Sequence, residues 1–264
     1  MPSVRPKKSL GQHFLTDQNI AKAIVDALTG PRKADAAPLP VLEVGPGMGV
    51  LTQYLLQRPE IDLTAVEIDQ ESIDYLHKQF PQLEGRLLQE DFLKMDLGKA
   101  FDTPFHVIGN FPYNISSQIF FKILEHRDRI PEVVCMIQKE VADRIAEKPG
   151  SKTYGILSVL LQAWYDIEYL FPVGSGAFAP PPKVMSAVIR LRRNSRQTLD
   201  CDEALFKTIV KQAFNQRRKT LRNSLKTLIT DKGLCSSDTV FDLRPERLSV
   251  EVFIALANRF STTD

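Results

Sequence analysis

Val41-Leu42-Glu43-Val44-Gly45-Pro46-Gly47-Met48-Gly49 is a short apolar run that breaks into three alternating glycines, and a helical pattern follows over Leu51–Leu56. Strand, glycine turn and helix in that order form the first unit of a nucleotide-binding α/β sheet, in which ligands sit outside the carboxyl ends of the strands. The glycines let a ligand approach the backbone closely. The spacing is G-x-G-x-G and not the dinucleotide fingerprint G-x-G-x-x-G, and Glu43 lies inside the strand.

Outward from this turn the same alternation recurs. Leu63–Asp69 reads as a second strand, with Glu67 at its carboxyl end, about twenty residues past the turn, where an acid takes ribose hydroxyls. A ribose hydroxyl pair is common to NAD and S-adenosylmethionine; the glycine spacing suits the cofactor without a phosphate, S-adenosylmethionine. Arg86–Phe92 gives a third strand that ends in Asp91, an acceptor for an adenine amine, and Phe92, a ring to pack on its face. Phe105-His106-Val107-Ile108 is a fourth, buried strand. It runs into Gly109-Asn110-Phe111-Pro112-Tyr113-Asn114, where proline ends it at Asn110. A carboxamide, a proline carbonyl and an aromatic ring then stand at the mouth of the site and suit a planar base with an exocyclic amine. Tyr113 also reads as an ordinary core tyrosine behind a strand-ending turn.

Val133–Ile137, Ile167–Phe171 and Ser186–Leu191 complete seven strands. Gly174–Val184 between the last two is a stiff, proline-rich connector whose Phe178 has two readings, a core plug or a ring that stacks on a base. Beyond Leu191 strand periodicity stops and helical periodicity takes over. The expected organisation is a catalytic α/β domain over 1–193 and a small all-helical domain over 194–264.

Composition agrees with a globular protein: 264 residues, 43% hydrophobic and 25% charged. No apolar stretch approaches a membrane span, the N-terminus has no secretory h-region, and Cys135, Cys201 and Cys235 are scattered; a reducing cytoplasm and the absence of a metal site are expected. The net charge of +2 is uneven. Residues 183–226 hold twelve Lys/Arg against three Asp/Glu, which points to a phosphate-rich partner or to a solvated helix face. Lys207, Lys211, Asn215, Arg218 and Arg222 share one sector if a single helix persists. The apolar set shifts phase after Arg217, and a break is expected near Phe214–Arg218.

Five blocks in order, Gly11-Gln12-His13-Phe14-Leu15, Glu43–Gly49, Asn110–Ser116, Phe178–Val184 and Phe214–Arg222, resemble those of the ribosomal small-subunit RNA adenine N6-dimethyltransferases over nearly the whole chain. His13 stands where that family usually has Asn. The resemblance implies a seven-strand, mostly parallel, Rossmann-like methyltransferase sheet and S-adenosylmethionine as methyl donor. It implies two adjacent adenosines near the 3′ end of small-subunit RNA, in the immature 30S particle, as acceptors, with the protein acting as a monomer. By carry-over, His13, Leu15, Gly45, Glu67, Asp91 and Asn110 line the cofactor site, Asn110 and Pro112 hold the amine, and Tyr113 and Phe178 sandwich the adenine. Lys207, Lys211, Arg218 and Arg222 are assigned to RNA. Three alternatives share parts of the pattern. An NAD-dependent dehydrogenase has the turn and Glu67 but not Asn110–Tyr113. A large-subunit RNA or DNA adenine methyltransferase has the catalytic motif but not the 214–222 block. A non-enzymatic assembly protein has the basic domain without needing Asn110.

Overall fold

A computed structural model describes residues 4–29, 37–232 and 238–261. Cys235 and most of the loop read over 31–40 lie outside the described residues. Nine strands are described: β1 (Phe14–Leu15), β2 (Leu39–Val44), β3 (Ile61–Glu67), β4 (Leu87–Gln89), β5 (His106–Asn110), β6 (Glu132–Gln138), β7 (Tyr165–Val173), β8 (Phe178–Ala179) and β9 (Ser186–Arg193). The helices are α1 (Gln18–Asp26), α2 (Thr52–Leu55), α3 (Gln70–Gln79), α4 (Leu97–Ala100), α5 (Ser116–Glu125), α6 (Lys139–Ala146), α7 (Ile156–Gln162), α8 (Glu203–Asn215), α9 (Leu221–Ser224), α10 (Lys226–Asp231) and α11 (Val250–Ser261).

Seven strands form one sheet in the order β4-β3-β2-β5-β6-β9-β7. The β4-β3-β2-β5-β6 run is parallel, and β9 adds antiparallel to β6. The expected sheet is thus present. After β4 the chain returns to lay β5 beside β2, so the strand order reverses between them. Such a reversal opens a crevice at the carboxyl ends. Register pairs Glu43 with Ile108, which brings the glycine turn next to Asn110 across 65 residues of chain. Gly109 makes this approach feasible: a Cβ there would lie 2.5 Å from the Val44 carbonyl oxygen.

The third strand is shorter than its apolar pattern suggests. It ends at Gln89 because Asp91 closes a turn: its carbonyl accepts from the N–H groups of Lys94 (2.8 Å) and Met95 (2.9 Å), and its carboxylate from that of Leu93 (3.0 Å). A second sheet, not apparent from periodicity, pairs β1 with β8 antiparallel, Leu15 opposite Phe178.

The backbone gathers into two compact units, 1–142 with 167–193 and 143–166 with 194–264. The single boundary expected after residue 193 is one of three crossings. Residues 143–166 join the second unit because α7, with Leu157, Val159, Leu160 and Leu161 all buried, packs on α8 and α11. In that unit α8 ends at Asn215, as the phase shift of the apolar positions requires. Among the described residues, no helix is long and apolar enough to cross a membrane.

Candidate active site

One cavity of about 270 Å³ opens at the carboxyl ends of β2, β3 and β5. His13, Leu15, Gly45, Glu67, Asp91, Asn110, Pro112 and Tyr113 all line it. Residues from five separate segments therefore meet as their order in the sheet demands.

Gly45 has a φ of +69°, a left-handed conformation that a side chain would strain, and a Cβ there would meet nothing within 4 Å. The backbone at that point faces open space. Glu67 is buried, and its carboxylate is fixed by three backbone donors: the N–H groups of Ile68 and Asp69 at 2.9 Å each on one oxygen, and that of Gly47 at 3.1 Å on the other. Burial pushes its pKa above the usual carboxylate range despite these bonds. Glu43, deeper in β2, accepts from the Thr52 hydroxyl at 2.7 Å, and burial raises its pKa to about 7.

Asn110 donates its side-chain Nδ2 to the carbonyl of His13 at 3.0 Å. A carbonyl cannot donate, so this bond sets the orientation of the carboxamide and leaves Oδ1 as an available acceptor. The Pro112 carbonyl accepts from the Ile115 N–H at 3.2 Å, which uses one of its two lone pairs. Tyr113 is held at both ends. Its hydroxyl bonds Ser186 at the start of β9, and its ring stacks on the His13 imidazole, with 5.5 Å between centroids and 27° between planes. His13 Nδ1 lies 2.9 Å from the Pro180 carbonyl, so it is the protonated nitrogen in that contact.

Of its two readings, Phe178 has the surroundings of the core plug. It is buried in the apolar cluster that holds Leu15, Ile24, Met136 and Val188, and it does not line the cavity. The antiparallel pairing sets Phe178 opposite Leu15; both are buried in that cluster, and Leu15 also reaches the cavity. The ring stacked on Tyr113 is that of His13.

Several contributors carry no signal of their role in the sequence. Ile68 lines the cavity and is 51% exposed, an apolar side chain between two acids at a strand end. Gln12 anchors the N-terminal segment: its Oε1 accepts from the Lys7 N–H at 2.9 Å and its Nε2 donates to Asp69 at 3.3 Å, while Lys7 pairs with Asp69. Ser186 is placed only by the register of β9.

In the second unit, Lys207 and Lys211 are exposed on α8. Because that helix ends at Asn215, Arg218 lies in the following turn and Arg222 on α9, where its Nε donates to Asp242 at 3.0 Å. The continuous stripe through Arg222, conditional on one helix, is divided.

Residues 4–251 match the family model described as ribosomal RNA adenine dimethylase. A Parabacteroides distasonis protein named ribosomal RNA small subunit methyltransferase A is 60% identical over 256 residues, covering 97% of this chain and 94% of that protein. The crystal structure of a dimethyladenosine transferase from Plasmodium falciparum is similar with a TM-score of 0.74 at 24% identity, covering 95% of this chain and 98% of that one. The crystal structure of the 23S rRNA methyltransferase ErmE is similar with a TM-score of 0.61 at 26% identity, covering 93% and 99%.

Proposed function

Because this chain belongs to the ribosomal RNA adenine dimethylase family, we propose that it transfers methyl groups from S-adenosylmethionine to N6 of two adjacent adenosines near the 3′ end of small-subunit ribosomal RNA. Each adenosine becomes N6,N6-dimethyladenosine. The acceptor is the RNA within the immature 30S particle, and the protein works as a cytoplasmic monomer in small-subunit biogenesis. The observation that carries the reading is the carboxamide of Asn110, turned by the His13 carbonyl so that its oxygen is left for an amine.

The residues present fit the cofactor. Glu67 is held ready by three N–H donors and would take the ribose hydroxyls; Asp91 and Phe92 would take the adenine; the open space at Gly45 and the neighbouring His13 and Leu15 would accept the remainder. When bound, S-adenosylmethionine supplies a methyl carbon on a sulfonium that leaves as a neutral thioether.

What the chain contributes is alignment. The N6 lone pair of adenine is delocalised into the ring and is a poor nucleophile. Asn110 Oδ1 and the second lone pair of the Pro112 carbonyl accept from the amine and localise that pair as the N–C bond forms. Acceptors preset where positive charge develops act in the transition state. The methylated nitrogen is strongly acidic and loses its proton to water without a dedicated base. The target base must leave its stack, at a cost of a few kcal/mol, and stacking on Tyr113 returns ~1–3 kcal/mol. Lys207, Lys211 and Arg218, with Arg222 beside Asp242, supply the cationic surface for the RNA backbone.

The test uses purified protein, S-adenosylmethionine and 30S particles from cells lacking this protein, with nuclease digestion and mass spectrometry. Two adjacent N6,N6-dimethyladenosines near the 3′ end are expected. Methyl transfer absent from those particles, or found at other bases, overturns the reading.

A further inference from the structure

Lys122 has no part in the site described above, yet its surroundings tie it to that site. It lies on α5, the helix that begins directly after Asn110–Asn114, and it is only 8% exposed. A long cation buried this far requires compensating partners. Its Nζ donates to the carbonyl of Met95 and stands 5.5 Å from the centre of the Phe92 ring. Burial lowers its pKa, and the negative charges of Glu125, Asp91, Asp96 and Glu90 oppose that shift. Met95 closes the turn opened by Asp91, and Asp91 and Phe92 line the cavity. The ammonium thus braces a turn that contributes Asp91 and Phe92 to the cavity wall.

We propose that Lys122 is a positioning residue for the adenine end of the cofactor: it locks the Asp91–Met95 turn and the Phe92 ring onto α5, so that the wall receiving the adenine is set relative to Asn110 and Tyr113. This rests on the assignment of Asp91 and Phe92 to the cofactor adenine. The physical basis is twofold. A cation near an aromatic face is attracted by the ring quadrupole. A charged donor on a buried carbonyl also leaves that carbonyl unsatisfied when it is removed. An apolar side chain of similar length would fill the volume without fixing the turn.

Calorimetry with S-adenosylhomocysteine and with adenosine tests the proposal. The proteins are full-length wild type, Lys122→Met, Lys122→Arg, Phe92→Leu and the double variant Lys122→Met/Phe92→Leu. Each is measured below its own unfolding transition, alongside single-turnover methyl transfer at saturating cofactor. Lys122→Met is expected to weaken both ligands by the same factor, about tenfold, while the rate at saturation is retained. Lys122→Arg is expected to keep more affinity than Lys122→Met. The double variant should lose less than the sum of the two single losses, because the Phe92 ring is one of the two groups through which Lys122 acts. If Lys122→Met does not fold, Lys122→Gln, which keeps a donor without charge, takes its place. Unchanged adenosine affinity, a loss confined to S-adenosylhomocysteine, or additive losses overturn the proposal alone. Failure of the wild type to bind either ligand overturns the cofactor assignment and this proposal with it.

Discussion

The rim of the cavity and the basic face of the helical unit both present polar groups to a ligand, but they hold them differently. At the rim the groups have a protein partner on one side. Glu67 is tied by three backbone N–H groups, Asn110 by the His13 carbonyl, and Tyr113 by Ser186 and the His13 ring. On the helical unit, Lys207 and Arg218 are exposed, and Arg222 meets the surface carboxylate of Asp242. Methyl transfer depends on alignment of reacting atoms to fractions of an ångström, so its groups are ordered when the chain folds. Attraction to a polyphosphate backbone depends on charge density and tolerates mobile side chains. Substitutions at the rim should therefore act locally and with little dependence on salt, whereas those on the helices should act through ionic strength.

The largest effect is expected at Asn110. Asn110→Ala removes the oriented acceptor and should slow single-turnover methyl transfer by about 10²–10³, with particle binding largely kept. A rate near wild type would break the comparison at its catalytic end.

A smaller effect, of the opposite character, is expected from Lys207→Glu with Arg218→Glu. Particle affinity should fall most at low salt, and the slope of log K against log [salt] should drop by about 0.7–0.9 for each phosphate that is no longer neutralised. Cofactor affinity and the rate at saturating particle should not change. Arg222→Glu is a poorer probe, since it would also set two like charges together with Asp242. An unaltered slope in the double variant would mean that the helical face is only solvated, and would move the RNA surface to the basic N-terminal segment around Arg5 and Lys7.

The smallest effect concerns pH. Burial raises the Glu43 pKa from 4.5 to about 7. A carboxyl group with a raised folded-state pKa contributes stability that is complete below about pH 4.5 and is lost as pH rises through about 7. Glu132 is the contrary case. Bonds from His106 and Thr29 outweigh its burial and bring its pKa down to about 2, so its contribution is complete above about 4.5 and is lost as pH falls toward 2. Melting temperatures of Glu43→Gln and wild type across pH 5–8 should therefore differ in slope, with the wild type declining more steeply up to about pH 7 and running parallel to the variant above it. Parallel curves would show that Glu43 does not titrate in this range.

Much of the fold and of the site was legible in the chain because the signals are local. Alternating strand and helix periodicity, proline at 112 and glycines at 45, 47 and 49 define where elements begin and end. Glu67, Asp91 and Asn110 could be picked out because each stands at a strand end or just past one. The basic character of the helical unit and the break at Asn215 follow from charge and phase along a single segment.

What the tertiary structure alone decided are the pairings between distant segments. Leu15 lies opposite Phe178 in a core cluster; the His13 ring stacks on Tyr113; the register of β9 brought Ser186 to the tyrosine hydroxyl. Residues 143–166 joined the second unit through the apolar surface of α7, and Lys122 reached the Asp91 turn from a helix it shares with no other site residue. The reason is common to all of these. A period of 2 or 3.6 tells which face of an element is buried, but the partner of that face lies far along the chain and is chosen by packing in three dimensions.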